Sequence, residues 1–254
     1  MADTLKILDC TFRDGGYYNK WDFSDSLVQR YLRAVDAANI DIIELGLRNL
    51  PQDKFFGAFA YTADTYIDTL SIDKDISVGV MVDAGSILNS GLSIEETINI
   101  LFQSKAKSRV DLVRIATHFN AVEQCEKIAQ VLKKLGYQIG LNLMQAHARS
   151  NDELSEIAQL IQSWDKIDVL YFADSLGSMN ADDVVRIVSA LKLNWMGKMG
   201  FHAHNNKGLA VSNTLIAIEH GIDWADCTML GMGRGAGNAQ TENLLLELVQ
   251  KYDV

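Results

Sequence analysis

Short apolar runs alternate along the whole chain with longer segments in which apolar residues recur at three- and four-residue spacing. The short runs are typical of buried strands, and the longer segments are typical of helices that pack one face on a sheet. The predicted strands are residues 5–11, 41–46, 76–82, 112–117, 138–144, 169–174, 199–204 and 225–229. Strict alternation of strand and helix predicts parallel strands, and eight repeats predict closure into an α/β barrel, the (β/α)8 TIM barrel.

No break in composition divides the chain into parts. It has 254 residues, 48% of them hydrophobic, which is a usual length for one such barrel. Its single proline, Pro51, does not lie in a linker-like segment. We therefore predict one TIM-barrel domain that spans residues 1–254.

Charge and hydropathy argue against two classes of partner. The net charge is -10, and Lys and Arg are scattered among acids, so we expect no nucleic-acid partner. No apolar run approaches 18 residues and no leader-like pattern precedes Leu5, so we expect no membrane partner and a cytoplasmic location. The cysteines, Cys10, Cys125 and Cys227, are far apart and odd in number, which favours reduced core thiols over disulfides.

Polar residues cluster where the predicted strands end. In a barrel of this kind the functional site lies at the C-terminal ends of the strands and on the loops that follow them. The polar residues at these positions are Arg13, Asp14, Glu44, Arg48, Asp83, Thr117, His118, Gln145, His147, Asp174, Ser175, His202, His204, Asn205, Arg234 and Asn238. We expect them to converge on one rim of the barrel.

The segment "FHAHNN" suggests a metal site. His202 and His204 are two apart on a strand, so both side chains point to the same face, and Asp14 would stand at the mouth of the same barrel. Two histidines and one carboxylate can hold a cation with open positions for a substrate. An isolated His-x-His pair is more often a pair of hydrogen-bonded core residues, but the Asp-Gly-Gly turn expected after the first strand favours the metal site here.

Two further segments fit a site that stabilises negative charge on oxygen. Arg13, next to Asp14, could hold a carboxylate or an enolate, and Glu44 could hold Arg13 in place, although a salt bridge on the rim is an alternative. The loop "GMGRGAGNAQTE" has four glycines and presents Arg234 and Asn238. Bare backbone there could approach a ligand, or the loop could be only a flexible turn before the last helix.

Six segments together resemble one known group of enzymes. They are "TFRDGG", "IIELG", "ATHFN", "ADSLG", "FHAHNN" and "GMGRGAGNAQTE", in order from Leu5 to the C-terminal helix. They resemble the DRE-TIM metallolyase superfamily (HMGL-like), and within it the class II pyruvate aldolases of the 4-hydroxy-2-oxovalerate aldolase type. The resemblance implies a metal-dependent aldolase or lyase that acts on a 2-oxoacid and an aldehyde through a pyruvate-like enolate.

The resemblance also implies a cofactor and roles for individual residues. It implies a divalent metal ion, Mg2+ or Mn2+, and the implied ligands are Asp14, His202, His204 and Asn238. Arg13 matches the arginine that stabilises the enolate, Glu44 would orient it, and Ser175 would contact the carboxylate of the 2-oxoacid. Thr117 and Arg234, which follow the fourth and eighth strands, complete the expected substrate-binding residues.

Three departures from the family patterns bear on the reaction. Tyr17 stands where the aldolases have a histidine base, so its phenol could transfer the proton or could only pack over the barrel mouth. Arg234 lies in a loop where hydroxymethylglutaryl-CoA lyases have a cysteine, and "RDGGY" replaces the "RDGEQ" of isopropylmalate-type synthases. An acyl-CoA lyase or Claisen-type synthase is therefore the second reading. A catalytically idle barrel that serves as a binding subunit is the third.

A long segment after the second predicted strand contains several phenylalanines. Residues 48–61, "RNLPQDKFFGAFAY", include Phe55, Phe56 and Phe59. Loops of this length on an active rim are often lids. The alternatives are packing over the barrel or a homodimer interface.

Overall fold

Eight parallel strands form a closed barrel in the order β1 to β8, with β8 paired to β1. The computed structural model describes residues 5–252. The strands are β1 Lys6–Asp9, β2 Ile42–Leu47, β3 Ser77–Asp83, β4 Leu112–Thr117, β5 Gln138–Leu143, β6 Val169–Asp174, β7 Lys198–Ala203 and β8 Trp224–Cys227. This architecture confirms the predicted (β/α)8 barrel.

Helices follow the strands and cover the outside of the barrel. They are α1 Thr11–Asn19, α2 Asp25–Ala37, α3 Asp64–Ile67, α4 Ala84–Leu88, α5 Ile94–Leu101, α6 Val122–Lys134, α7 Asn151–Trp164, α8 Ala181–Lys192, α9 Ala210–Glu219 and α10 Thr241–Tyr252. Capping boxes at Ser93, Ser150 and Asn180 satisfy the free N–H groups at the starts of α5, α7 and α8. These capping residues explain why the helices begin where they do.

Two apolar layers lie on the two sides of the strands. The outer layer, between strands and helices, takes every second strand residue, and the opposite residues point into the barrel. A small cluster inside the barrel includes Ile42, Leu112, Val169 and Trp224, which are the first residues of their strands. The N-terminal end of the barrel is therefore closed by apolar packing, and polar interior residues come later along the strands.

The first strand ends earlier than predicted. It stops at Asp9, and residues 11–19 form α1, so Arg13, Asp14, Gly15 and Gly16 lie in a helix and not in a turn. The glycines serve close packing: a Cβ at Gly16 would collide with the ring of Trp21, and one at Gly15 would lie 2.9 Å from Met232 Cε. The prediction of a turn at Asp-Gly-Gly was wrong. Close contacts with Trp21 and Met232, and not a positive φ, require glycine at these two positions.

The eighth strand also differs at its end. It covers Trp224–Cys227 because the chain turns at Thr228 into a 3-10 turn, Met229–Gly231. Beyond this turn, Ala239 N donates to Ala203 O at 3.1 Å. The glycine-rich segment is thus folded back against the end of β7.

The aromatic segment after β2 packs partly on the barrel. Phe59 is 1% exposed, and its ring centroid lies 4.6 Å from that of Phe12 in α1. Phe56 is half-buried beside Trp21, with 5.9 Å between ring centroids. Phe55 is 68% exposed. Packing over the barrel thus accounts for Phe59, and the lid and the dimer interface stay predictions.

The three cysteines form no disulfide. Cys10, Cys125 and Cys227 are buried free thiols. Within residues 5–252, no helix has the length and apolar character to cross a membrane.

Candidate active site

Four of the predicted metal ligands lie together at the C-terminal mouth of the barrel. Asp14 comes from the first turn of α1, His202 from β7, His204 from the residue after β7, and Asn238 from the loop after β8. Asp14 Oδ2 lies 3.3 Å from His202 Nε2 and accepts a hydrogen bond of 2.8 Å from Asn238 Nδ2. The rings of His202 and His204 are 5.1 Å apart. The four residues are all buried.

The free atoms of this group fit a divalent cation. His202 Nδ1 lies 2.9 Å from Asp226 Oδ2, so a neutral ring would carry its proton on Nδ1 and turn the lone pair of Nε2 towards the Asp14 carboxylate. In that form the two acceptor atoms are 3.3 Å apart and repel each other unless a cation or a proton lies between them. Ligands at right angles with bonds of about 2.1 Å lie about 3 Å apart. Asn238 Oδ1 is also buried and unpartnered within residues 5–252.

The surroundings of His204 and Asp14 favour the protonation states that bind metal. Burial, with the neighbouring His202, lowers the pKa of His204 to about 3, so its imidazole is neutral near pH 7. Burial opposes ionisation of Asp14, but the neighbouring Arg13 guanidinium more than offsets it and holds the pKa of that carboxyl below its usual value. A neutral imidazole, as at His204, and an ionised carboxylate, as at Asp14, are the forms that bind metal.

Cys10 lies beside this group but has a partner of its own. Its Sγ, with Asp14 and His202, belongs to a set whose ligand atoms lie within 4.8 Å of one another. The thiol donates to Cys227 O at 3.4 Å, and burial raises its pKa well above the usual value. The nitrogen and oxygen atoms, not the sulfur, are therefore the ready ligands.

A buried ion-pair network holds Arg13. Arg13 Nε donates to Glu44 Oε1 at 2.6 Å, and Arg13 Nη1 pairs with Asp14. Arg114 Nε donates to Glu44 Oε2 at 2.6 Å, and its Nη1 donates to Asp226 Oδ2 at 2.7 Å. Glu44 and Arg114 are 0% exposed, so the network is inside the barrel and is not a salt bridge on the rim.

One donor of this network is unused. Arg13 Nη2 is buried and has no hydrogen-bond partner within residues 5–252. The Arg13 side chain is fixed at Nε and Nη1, so Nη2 is held in place beside Asp14. A buried donor without a partner is costly and is expected to meet a substrate oxygen.

Sequence reasoning missed Arg114 and Asp226. Both were within predicted strands, as charged residues in otherwise apolar runs, "LVRIAT" and "WADC". Period-two alternation places each on the inward face with Leu112 or Trp224. A charge on the inward face of a buried strand was the signal that could have identified them.

Tyr17 and Arg234 contact each other at the mouth. The guanidinium carbon of Arg234 lies 4.8 Å from the centroid of the Tyr17 ring, which is 43% exposed. Tyr18 Oη donates to Gly235 O at 3.3 Å. The two tyrosines of α1 thus support the glycine-rich loop, and Tyr17 also packs on Trp21 with 4.7 Å between centroids.

Ser175 and Thr117 lie in different surroundings. Ser175, after β6, is half-buried on the rim, and its Oγ accepts from Gln145 N at 3.0 Å. Thr117 contacts Cys125 on α6, and its Oγ1 donates to His118 O at 3.1 Å. Thr117 therefore faces the helix layer, because Ala116 occupies the inward position, and the structure does not bring it together with the other predicted site residues.

One more inward polar residue escaped sequence reasoning. Asn142 on β5 is 4% exposed, and its Oδ1 has no partner within residues 5–252. It is paired in register with Ala116 and Tyr171, both on the inward side. No rim motif marks it in the sequence, since it lies within a strand.

The contact between Asp226 and His202 predicts an effect of Asp226 on metal affinity. We expect Asp226→Asn to lower the affinity for Mn2+ by about tenfold to a hundredfold, because the carboxylate that orients His202 is lost. Free Mn2+ can be titrated by electron paramagnetic resonance, with circular dichroism to verify folding. Asp36→Asn, on the exposed side of α2, is the matched control. An unchanged affinity in a folded Asp226→Asn variant would contradict this role.

Comparison with known proteins points to one family. The sequence model of the HMGL-like family matches residues 4–252. A protein of Carboxydothermus hydrogenoformans named 4-hydroxy-2-oxovalerate aldolase is 34% identical, over 98% of this chain and 72% of its own length. A protein of the same name from Brevibacillus brevis is also 34% identical, over 98% of this chain and 71% of its own length.

Solved structures agree in fold. The N-terminal domain of a putative aldolase from Bacteroides vulgatus has a TM-score of 0.84 and 33% identity, covering 98% of this chain and 81% of that one. Hydroxymethylglutaryl-CoA lyase from Bacillus subtilis has a TM-score of 0.77 at 14% identity, covering 97% and 86%, and shares the fold. The match over nearly the whole sequence and the identity to the curated relatives together establish that the chain belongs to the HMGL-like family.

Proposed function

We propose that this chain is a metal-dependent class II aldolase that forms or cleaves a carbon–carbon bond through the enolate of a pyruvate-like 2-oxoacid. The curated relatives are named for an aldolase activity, which is the predicted carbon–carbon lyase chemistry. The observation that carries the proposal is the buried, unpartnered Nη2 of Arg13 beside the candidate metal ligands Asp14 and His202. An idle binding subunit would have no need of such costly unpartnered atoms.

The proposal assigns the cation to one set of residues. Asp14, His202 and His204 would hold Mg2+ or Mn2+, with Asn238 as a further ligand. When bound, the cation supplies a Lewis acid that polarises the oxygens of the 2-oxoacid. Hard oxygen donors and imidazoles with open positions suit either ion.

In this proposal Arg13 stabilises the negative charge that develops on the 2-oxo oxygen. In the cleavage direction, a base removes the proton of the 4-hydroxyl, the C3–C4 bond breaks, and the aldehyde leaves. The electron pair moves to the 2-oxo oxygen, which becomes an enolate and is later protonated at carbon to give pyruvate. Arg13 Nη2 donates to that oxygen, and Glu44 keeps the guanidinium in position without any reorganisation during the step.

The remaining roles belong to residues on the rim. Tyr17, half-exposed at the mouth, is proposed as the group that moves the proton. Ser175 and Arg234 are proposed to bind the substrate, with Ser175 on the carboxylate of the 2-oxoacid. Thr117 is left out because it faces α6.

The proposal also covers the protein as a whole. We propose one catalytic domain over residues 1–254 that acts on a small 2-oxoacid and an aldehyde in the cytoplasm. A homodimer that covers the exposed Phe55 is a further expectation. Sedimentation velocity of wild type and Phe55→Ser would test it.

Chelation tests the activity directly. We expect the protein with Mn2+ to cleave 4-hydroxy-2-oxovalerate to pyruvate and acetaldehyde, and we expect chelator to abolish this turnover and added Mn2+ to restore it. Pyruvate can be measured with lactate dehydrogenase and reduced nicotinamide cofactor. Turnover that persists after complete removal of metal would refute a class II mechanism.

A further inference from the structure

Arg234 is an arginine at the barrel mouth that the reaction above does not fully use. It is exposed, and within residues 5–252 it forms no ion pair with a carboxylate. Its guanidinium carbon lies 4.8 Å from the centroid of the Tyr17 ring. A guanidinium over an aromatic ring keeps its N–H edge free, and that edge matches a carboxylate or a phosphate with two parallel hydrogen bonds.

The loop holds Arg234 over the site. Asn238, four residues later, donates to Asp14 Oδ2 at 2.8 Å, and Tyr18 Oη donates to Gly235 O at 3.3 Å. Gly235 has a φ of 62°, a backbone conformation that residues with a side chain rarely adopt. The loop that carries Arg234 is therefore held against α1 through Tyr18 and against the candidate ligand Asp14 through Asn238.

Charge balance suggests what Arg234 is for. The buried network contains two guanidiniums, of Arg13 and Arg114, and three carboxylates, of Asp14, Glu44 and Asp226, which leaves one negative charge. A divalent cation turns this into one positive charge, and the carboxylate of a 2-oxoacid neutralises it. The positive charge of Arg234 is then additional to what a substrate with a single carboxylate requires.

We propose that Arg234 binds a second anionic group, on the half of the substrate that becomes the aldehyde. The substrate class is a 4-hydroxy-2-oxoacid whose far end carries a carboxylate or a phosphate ester. This inference rests on the proposed aldolase function and deepens it. It makes Arg234 a specificity-determining residue, and the ring of Tyr17 serves as the platform that orients it.

Three substrates and three variants test the inference. The substrates are 4-hydroxy-2-oxovalerate, with an uncharged methyl end, 4-hydroxy-2-oxoglutarate, with a carboxylate end, and 4-hydroxy-2-oxo-5-phosphooxypentanoate, with a phosphate end. Each is cleaved by the purified protein with Mg2+, and pyruvate formation is followed by proton NMR. The variants are Arg234→Gln, Arg234→Lys and, as a control for net charge, Arg33→Gln on the exposed side of α2.

The expected result is a selective loss. Wild type should prefer at least one anionic substrate, and Arg234→Gln should lower kcat/KM for that substrate by about tenfold to a hundredfold, mainly through KM, the range expected for hydrogen bonds to a charged group. kcat/KM for the methyl substrate should fall by a smaller factor, and Arg234→Lys should restore part of the loss for the anionic substrate. Whichever of the two anionic substrates shows the larger loss identifies the anion as carboxylate or phosphate.

Other results separate this inference from the proposed function. Cleavage of the methyl substrate with no preference for either anionic substrate would overturn the inference and leave the aldolase function standing. An equal loss on all three substrates in Arg234→Gln would also overturn it, since the arginine would then act by supporting the loop. Cleavage of none of the three by wild type would overturn the proposed function, and the inference with it.

Discussion

Asp14→Ala is expected to abolish cation binding and to lower turnover by about a thousandfold or more. The carboxylate is 0% exposed and faces His202 Nε2 at 3.3 Å, so its loss removes the negative ligand of the group. A Lewis acid contributes several kcal/mol to stabilisation of the transition state, which corresponds to this loss in rate. Isothermal titration with Mn2+ and initial rates of pyruvate formation measure the two effects.

Two control variants distinguish loss of the cation ligand from misfolding of the protein. Asp36→Ala removes the same charge from the exposed side of α2 and should bind Mn2+ as wild type does. Asp14→Asn keeps the shape of the side chain. It replaces Asp14→Ala in both measurements if circular dichroism shows that Asp14→Ala is unfolded. A folded variant at position 14 that still binds Mn2+ with wild-type affinity would show that the cation is held elsewhere.

Arg114→Met is expected to lower the free energy of unfolding by about 3–5 kcal/mol. Arg114 is 0% exposed and neutralises Glu44 and Asp226, at 2.6 and 2.7 Å, so its removal leaves buried carboxylates uncompensated. Breaking a buried ion pair by removing one partner is far more costly than replacing both. Unfolding in urea, followed by tryptophan fluorescence, measures the change.

A surface ion pair gives the matched comparison. Lys198, whose Nζ lies 2.7 Å from Asp223 Oδ1, has a side chain that is 53% exposed, and Lys198→Met should cost only about 0–1 kcal/mol. Adding Glu44→Gln and Asp226→Asn to Arg114→Met should recover part of the stability. If Arg114→Met cost no more than Lys198→Met, the network would not be the buried electrostatic core described above.

The barrel could be predicted because its signal is repeated. Strand and helix patterns recur along the entire chain, so an error at one boundary does not change the count. The start of α1 could not be predicted, since local chemistry reads Asp-Gly-Gly as a turn. The glycines are explained by contacts that exist only in the folded chain, of Gly16 with Trp21 and of Gly15 with Met232.

The placement of the candidate site residues could be predicted where motifs mark them. Asp14, His202, His204 and Asn238 come together as the motifs indicated, and Arg13 meets Glu44. Thr117 illustrates the limit, because one residue of register at a strand end decides whether a side chain faces the barrel or the helices. Arg114 and Asp226 lie deeper than the rim, where a search confined to strand ends does not look.

Exchange of pyruvate protons tests the central claim most directly. The purified protein is incubated with pyruvate and Mg2+ in deuterated buffer, and the methyl signal is followed by proton NMR, with chelator and with Arg13→Ala as controls. The account predicts metal-dependent loss of the methyl signal that is slowed by about a hundredfold to a thousandfold in Arg13→Ala, the effect of removing one donor to a developing oxyanion. Absence of exchange in wild type that has been shown to bind the metal would contradict a pyruvate-enolate mechanism.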